Sequence, residues 1–227
     1  MCGRNSLFHS PAELSEHFKA TWSIDSFEPR YNIAPTQQQP VITNETPDEI
    51  VELRWGFLPH WEDDLNNGFI NARAETAPDK PAFRDAWEHR TCLVLSSGFY
   101  EWASPNGGRK QPYRIHRSDD KPFAMAGLWS EWTDNEGELV QTFTILTTEP
   151  NHLVEPIHNR MPVILRPGRT GGWLEMGPHE RKVFCEPYPD DDLTAYPIST
   201  RVNNPANNGP EIIEPAETEQ SGLGEFS

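Results

Sequence analysis

The chain has 227 residues, which is enough for one domain with a sizeable core, and its eight Trp and eleven Phe can fill that core. The formal net charge is -16, because 35 Asp and Glu outnumber 19 Lys and Arg, so the surface as a whole repels nucleic acid at long range. No N-terminal stretch is typical of a signal peptide and no apolar run is long enough to span a membrane, so we expect a cytoplasmic protein with reduced cysteines and no membrane partner.

The first predicted helix begins shortly after the N-terminus. Ser10 is suited to cap it, Pro11 to occupy its first position and Glu13 to complete a capping box. The segment before it, CGRNSLF, is expected to be extended and packed, because the chemistry of a mobile terminus would not be controlled.

Most of the remaining predicted elements are strands. Residues 29–43 predict an irregular loop followed by a short strand, and residues 50–61 predict a strand that ends in an aromatic loop. Further helices are expected within 79–89 and, as a short one, within 170–176. Further strands are expected within 92–104, 112–118, 122–132, 139–149 and 161–165, with turns at 105–110 and 134–137.

This order of elements indicates an α+β fold, a single domain of mostly antiparallel strands with a few helices. Strands and helices do not alternate as a doubly wound sheet would require. The domain is predicted to span residues 1–213, and residues 214–227, acidic and poor in apolar side chains, are predicted to form a disordered tail. We expect a monomer, since no amphipathic surface helix is conspicuous.

The three cysteines are too far apart to suggest a disulfide framework or a zinc site, and no metal or cofactor is predicted. Cys92 lies in an apolar run and is expected to be buried.

Cys2 follows Met1, which an aminopeptidase is expected to remove. Its α-amine, with a pKa of about 7.7 to 8, and its thiol, with a pKa of about 8.5, would then share one residue. This pair suits aldehydes, because the amine forms an imine onto which the thiol can close as a five-membered thiazolidine; the alternative is that Cys stands at position 2 by chance.

Two polar residues alternate with apolar ones in the segment GFINARAET. Asn71 and Arg73 would face the same side of an extended chain. The alternatives are that Asn71 caps a turn and that Arg73 pairs with a surface carboxylate.

Two titratable residues are candidates for proton transfer. Glu101 lies in the aromatic segment GFYEW, where burial would raise its pKa into the range useful for general acid and base catalysis, unless it faces water from an edge strand. His158 precedes a predicted strand and could aim into a cleft, unless it is structural. The aromatic segments themselves could stack on bases or simply pack in the core.

The motifs MCGR, RYNIAPTQ, RWGFLPHW, INARAET, GFYEW, KQPYRIHR, FTILTTEPN, IHNRMPVIL and VNNPANNGPEII occur in this order. With them the chain resembles the SRAP family, the SOS response-associated peptidases, from Cys2 to about Ile213. The resemblance implies an abasic-site sensor and shield of the DNA damage response. Cys2 would form a thiazolidine crosslink with the ring-opened abasic sugar in single-stranded DNA and so protect the strand from cleavage.

The resemblance also implies site roles and partners. Asn71 would position the Cys2 amine and the sugar, Glu101 would exchange protons, and His158 would assist proton transfer and crosslink reversal. The partners would be single-stranded DNA with abasic sites and the replication machinery, at the nucleoid. The DNA would be bound at phosphates, polar backbone atoms and stacked bases by Arg4, Arg73, Asn32, Thr148, Trp61 and Trp102.

Two alternative functions stay open. The first is a thiol peptidase or hydrolase with Cys2 as nucleophile and His158 or Glu101 as base, in line with the peptidase activity proposed for the family. The second is a non-catalytic single-stranded DNA binding module that uses the aromatic residues.

The acidic composition requires its own explanation. Either the protein has no polyanionic partner, or it works in a very salty cytoplasm, where the Debye length falls to about 3 Å at 1 M. Only five of the basic residues are Lys, which favours the second explanation and a halophilic source. For a DNA-binding protein we then expect a narrow Arg-lined groove in an otherwise negative surface.

Overall fold

The computed structural model describes residues 2–104, 108–134 and 136–216. The strands in these ranges are β1 Asn5–Leu7, β2 Thr21–Trp22, β3 Arg30–Ile33, β4 Gln38–Thr43, β5 Glu49–Trp55, β6 Asn71–Arg73, β7 Thr91–Ser96, β8 Gly98–Ala103, β9 Gln111–Arg117, β10 Phe123–Thr133, β11 Leu139–Thr148, β12 Met161–Pro162 and β13 Leu193–Pro197. The α-helices in these ranges are α1 Pro11–Phe18, α2 Arg84–His89 and α3 Thr170–Glu175.

The strands form two sheets. In the smaller sheet the order is β13-β9-β8-β1-β3, and in the larger one it is β12-β11-β10-β7-β4-β5-β2. Strand β6 pairs with β11, and β5 pairs with both β4 and β11, so that β11, β10, β7, β4 and β5 close into a ring of strands. The pairs between strands that follow one another closely are antiparallel, which confirms the predicted α+β class with mostly antiparallel strands.

The chain passes from the larger sheet to the smaller one at Ser97 and Gly98. The predicted strand region 92–104 is therefore two strands, β7 and β8, that belong to different sheets. Gly98 has a φ of +155°, which side-chain-bearing residues rarely adopt, and a Cβ there would lie 3.1 Å from the carbonyl oxygen of Ile115. Glycine at this position allows the sharp change of direction that brings Glu101 into the smaller sheet.

The three predicted helices are confirmed. Ser10 caps α1 and Glu13 closes the capping box, with both reciprocal hydrogen bonds formed. Helix α2 begins only at Arg84, because residues 77–79 form a separate 3-10 turn ahead of it.

The prediction of an irregular loop at the start of 29–43 is wrong for Arg30–Ile33, which forms β3 against β1. Pro29 and Pro35 flank this strand without interrupting it. The prediction counted the prolines of the segment and did not consider their positions relative to the strand. The predicted strand 161–165 is shorter than expected, since regular pairing covers only β12 and Ile164 adds a single bridge to Met125.

The core lies around the larger sheet, where Trp55, Trp87, Trp129 and Trp173 are fully buried, and Cys92 is buried there as predicted. A smaller apolar cluster lies under the C-terminal segment 198–213. No helix in the described ranges is long and apolar enough to cross a membrane. The predicted tail lies outside the described residues except for 214–216, as do Met1 and the predicted turn residues 105–107 and 135.

Candidate active site

The N-terminal segment lies along strand β8, as the expected packed terminus requires. The side chain of Cys2 is fully buried. The carbonyl oxygen of Arg4 accepts a hydrogen bond from the Tyr100 amide at 2.9 Å, and Asn5 is in register with Phe99. Antiparallel pairing therefore carries Cys2 toward the part of β8 that contains Glu101.

Asn71 links this segment to the other sheet. It begins strand β6, which pairs with β11, and its Nδ2 donates to the carbonyl oxygen of Cys2 at 2.8 Å. Its Oδ1 is buried and accepts no hydrogen bond from the part of the chain that the structure describes. As predicted for an extended segment, Ala72 points into the core while Asn71 is half-buried and Arg73 exposed. A buried acceptor beside the Cys2 main chain is suited to bind an added N–H or O–H donor.

Glu101 is buried rather than facing water, so the edge-strand alternative is wrong. Its residue surface is 2% exposed. Burial raises the pKa of Glu101 to about 7, because the charged carboxylate loses hydration. Glu101 can therefore both donate and accept a proton near neutral pH.

His158 lies next to Glu101, with its Nε2 3.9 Å from Oε2 of the carboxyl group. His158 Nδ1 lies 3.0 Å from the Arg160 amide nitrogen, which donates to it in the Nε2–H tautomer, and 3.2 Å from the Arg160 carbonyl oxygen, which accepts from it in the Nδ1–H tautomer. In both tautomers Nε2 is the ring nitrogen on the side of Glu101. Burial lowers the pKa of His158 below its ordinary value of 6.5. At neutral pH the structure thus pairs a neutral imidazole with a titrating carboxyl group.

The Cys2 thiol is protonated at neutral pH in this environment. Burial raises the pKa of Cys2 well above its ordinary range, and the nearby Glu101 carboxylate raises it further. A nucleophilic thiolate is therefore not present at rest, and the thiol needs a base in order to react.

Arg4 and Asn32 bind the C-terminal segment. Arg4 Nη1 donates to Asn32 Oδ1 at 2.8 Å and to the carbonyl oxygen of Val202 at 2.6 Å. Asn32 is 2% exposed, and its Nδ2 lies 3.2, 3.0 and 2.8 Å from the carbonyl oxygens of Val202, Asn204 and Asn207. Both side chains thus support the loop 202–207, and their contacts with DNA stay a prediction.

The other predicted DNA-binding residues lie in different surroundings, and the structure does not bring Trp61 together with the site. Trp102 is half-buried and donates through Nε1 to Asn203 Oδ1 at 2.7 Å. Thr148 is buried and donates to the carbonyl oxygen of Cys185 at 2.9 Å. Trp61 is 54% exposed in the loop between β5 and β6, where it lines a cavity of about 410 Å³ together with residues of α2 and β10.

Sequence reasoning missed three charged residues near the site. Arg160 forms a bidentate ion pair with Glu75, and exposed Lys110 lies in the connection between β8 and β9, directly before β9. Burial has the larger effect on the pKa of both Glu101 and His158, and the positive charge of Lys110 lowers both pKa values. A period-2 signal could have found two of the three, because Glu75 follows Arg73 by two residues and Arg160 follows His158 by two.

No group of three or more His, Cys, Asp or Glu side chains in the described ranges is arranged to hold a metal ion. The candidate site consists of the thiol of Cys2, an amide, a carboxyl group and an imidazole. These groups can bind and transfer protons around a nucleophile without further components.

Comparison with known proteins gives consistent matches over nearly the whole chain. The family model described as SOS response associated peptidase (SRAP) matches residues 1–205. The chain is 40% identical to the abasic site processing protein YoqW of Bacillus subtilis, over 94% of this chain and 99% of that protein. It is 31% identical to the abasic site processing protein YedK of Escherichia coli, over 95% of this chain and 100% of that protein. A crystal structure of a protein from Bacteroides thetaiotaomicron has a TM-score of 0.85 at 28% identity, over 95% of this chain and 100% of that one.

Proposed function

Since the chain belongs to the SOS response associated peptidase (SRAP) family, we propose that it processes abasic sites by forming a covalent crosslink through Cys2. The substrate is the ring-opened sugar of an abasic site in single-stranded DNA, and the crosslink shields the strand from cleavage. Two relatives, from Bacillus subtilis and Escherichia coli, carry the name abasic site processing protein, which supports this substrate. The protein acts as a monomer in the cytoplasm, at the nucleoid, where the replication machinery exposes single strands.

One observation carries the proposal. Cys2 directly follows Met1 and is buried. Asn71 donates to its carbonyl oxygen at 2.8 Å, and the charge of Glu101 acts on its thiol. Removal of Met1 places an α-amine on Cys2, beside the buried Oδ1 acceptor of Asn71. An amine and a thiol held on one residue is the arrangement that an aldehyde trap needs.

The reaction proceeds in two stages with a balanced stoichiometry. The Cys2 amine nitrogen attacks the aldehyde carbon C1′ of the open sugar, and the carbinolamine loses one water to give an imine. The thiol sulfur then adds to the imine carbon, and its proton ends on the nitrogen. One aldehyde, one amine and one thiol thus give one thiazolidine and one water.

Glu101 and His158 donate and accept the protons in both stages. Loss of water from the carbinolamine needs an acid, which the protonated half of Glu101 supplies near its pKa of about 7. Closure of the ring needs a base for the neutral thiol, which the carboxylate form supplies. His158 Nε2 lies 3.9 Å from Oε2 of the same carboxyl group, and the imidazole can pass a proton to the sugar oxygen.

The basic residues around the site suit the phosphates beside the lesion. Arg73 and Lys110 are exposed, and Arg4 is half-buried with one guanidinium nitrogen used in binding the C-terminal loop. Because the crosslink is covalent, the DNA does not have to be held by these few cations alone. This is important for a chain of net charge -16.

The test is denaturing electrophoresis with single-stranded DNA that carries one abasic site. After mass spectrometry has shown that Met1 is absent, wild-type protein is expected to give a shifted band that survives denaturation. The band should be lost with Cys2→Ala and retained with Cys185→Ala, which removes a half-buried thiol elsewhere. DNA without an abasic site should give no band.

The outcomes separate this proposal from its alternatives. Absence of a band from folded, processed wild type would refute crosslinking. Turnover of a peptide that depends on Cys2 would then favour the hydrolase. Equal non-covalent binding of wild type and Cys2→Ser, without any adduct, would favour the single-strand binding module.

A further inference from the structure

Two amide side chains, one from each sheet, bind each other inside the domain. Asn5 of β1 and Gln39 of β4 are both fully buried. Asn5 Nδ2 donates to Gln39 Oε1, and Gln39 Nε2 donates to Asn5 Oδ1, each at 3.1 Å. Gln39 Nε2 also donates to the carbonyl oxygen of Leu95 in β7 at 2.9 Å. Because a carbonyl oxygen only accepts, this third bond fixes the orientation of the Gln39 amide and with it that of Asn5.

The backbone pairing of β1 defines its register weakly. The strand has three residues, and its pairing with β3 is irregular, because Asn5 and Leu7 are two residues apart whereas their partners Ile33 and Arg30 are three apart. Its pairing with β8 covers two residue pairs. Every residue offers the same main-chain N–H and C=O groups, so the side chains have to distinguish one register of so short a strand from the next.

The Asn5 side chain makes the observed register different from its neighbours. A shift of β1 by one residue would turn Asn5 to the other face of the strand. A shift by two residues would keep the face but place Gly3 or Leu7 opposite Gln39, whose buried amide would then lose its partner. The amide pair is therefore satisfied in the observed register and broken in the neighbouring ones.

The register of β1 determines where Cys2 lies. Cys2 is three residues before Asn5 in the segment that lies along β8, and a strand advances by about 3.3 Å per residue. A shift by two residues would move Cys2 by roughly 7 Å. In the observed register the carbonyl oxygen of Cys2 lies 2.8 Å from Asn71 Nδ2. Such a displacement would break this bond and take the thiol away from Glu101.

We propose, on the basis of the function proposed above, that Asn5 and Gln39 are positioning residues that set the register of the N-terminal segment and so place Cys2 against Asn71 and Glu101. They act through the strand and not on the reacting atoms. Apolar side chains of similar volume can replace such a buried polar pair without loss of stability, but they remove its specificity. After Asn5→Leu, positions 5 and 7 would carry the same side chain, so a shift by two residues would exchange one Leu for another.

The experiment compares the double variant Asn5→Leu/Gln39→Leu with both single variants and with wild type. Each single variant leaves one buried amide without its partner and is expected to unfold at a lower urea concentration than wild type, whereas the double variant should recover most of this loss. The crosslinking rate at saturating abasic single-stranded DNA should not recover. We expect it to be about 10- to 100-fold lower in the double variant than in wild type, because the nucleophile is misplaced.

Alkylation of the cysteines by iodoacetamide, followed by mass spectrometry, reports the position of Cys2 independently of DNA. Cys2 and Cys92 are both fully buried. In the double variant Cys2 should react about 10-fold faster than in wild type while Cys92 reacts as slowly as before, because the displacement is confined to the N-terminal segment. A general loosening of the fold would expose both thiols.

The matched control is Ser130→Ala/Thr142→Val. It removes a hydrogen bond of 2.8 Å between two buried hydroxyl groups of β10 and β11, and thus a buried polar pair outside the N-terminal segment. Its crosslinking rate and its Cys2 alkylation should equal those of wild type.

The outcomes are distinct. Wild-type crosslinking and unchanged Cys2 alkylation in the double variant would overturn the positioning role. A crosslinking rate that follows the urea midpoint across the four proteins, or faster alkylation of Cys2 and Cys92 together, would overturn it as well. If wild type forms no crosslink at all, the function proposed above fails. The alkylation of Cys2 relative to Cys92 then still decides whether the amide pair holds the N-terminal segment.

Discussion

At the scale of single residues, Glu101 is costly to the fold and useful to the reaction. It is 2% exposed, and burial raises its pKa from 4.5 to about 7. The folded state binds the proton more tightly than the unfolded chain does. Ionisation of Glu101 therefore lowers the free energy of unfolding. This loss is absent below about pH 4.5, grows as the pH rises to about 7, and stays at about 3 kcal/mol above that pH.

We therefore predict that Glu101→Gln stabilises the protein in a pH-dependent way. Its free energy of unfolding, measured by urea denaturation, should exceed that of wild type by up to about 3 kcal/mol at pH 8 and match it near pH 4.5, because glutamine cannot ionise. The same variant should crosslink abasic DNA more slowly, since the proton donor and acceptor is lost. The control is Glu149→Gln, because Glu149 is exposed just beyond the end of β11. A gain in stability that is equal at both pH values, or that Glu149→Gln shares, would contradict the burial of the Glu101 carboxylate as its cause.

Residue-scale roles could be predicted only where they depend on local context. The aromatic neighbours of Glu101 indicated its burial, and the alternation in INARAET indicated that Asn71 and Arg73 point away from the core. The bond from Asn71 to Cys2 could not be predicted from periodicity, because it joins residues 69 positions apart in two different sheets.

At the scale of elements, local signals predicted helices better than strands. Helix α1 has its cap, its proline and its capping box within four residues, so the sequence alone placed its start. Strand β3 was missed because only its pairing with β1 makes it a strand. The division between β7 and β8 also depends on tertiary structure, since the strands on either side of Gly98 pair with different partners.

Apart from the end of the 3-10 helix Thr200–Asn203, the C-terminal loop 202–207 has no regular element to hold it in place, so we predict that Asn32 determines its order. Asn32→Ala removes the acceptor of Arg4 Nη1 and the donor to three carbonyl oxygens of the loop. We expect a loss of about 3 kcal/mol in the free energy of unfolding and faster hydrogen exchange confined mainly to 200–208.

The control for this prediction is Asn66→Ala, because the Asn66 side chain donates to Asp64 in an exposed turn. It should leave both the stability and the exchange of the loop unchanged. Normal exchange in 200–208 of Asn32→Ala, together with weaker binding to DNA, would mean instead that Asn32 serves the ligand directly, as the family resemblance implied.

At the scale of the whole molecule, the charge distribution opposes the proposed ligand. The chain carries 35 acidic against 19 basic residues, while the surroundings of Cys2 include Arg4, Arg73, Lys110 and the neutralised Arg160. The expected Arg-lined groove stays a prediction, and it would be a local feature of an acidic molecule. Long-range repulsion slows the encounter with DNA at low salt, and salt screens it within a few ångströms.

This balance predicts two opposite responses to salt. From about 0.1 M to about 2 M KCl the free energy of unfolding should rise, because repulsion among the acidic side chains is screened. Over the same range non-covalent binding to intact single-stranded DNA should weaken, because salt competes for the few cations. The covalent yield on abasic DNA should persist, because a thiazolidine, once closed, does not depend on charge.

Urea denaturation, a binding titration and denaturing gels at each salt concentration check these three expectations. A stability that falls with KCl would refute adaptation of the acidic surface to salt, whereas a crosslink yield that falls in parallel with binding would mean that encounter, not closure, limits the reaction.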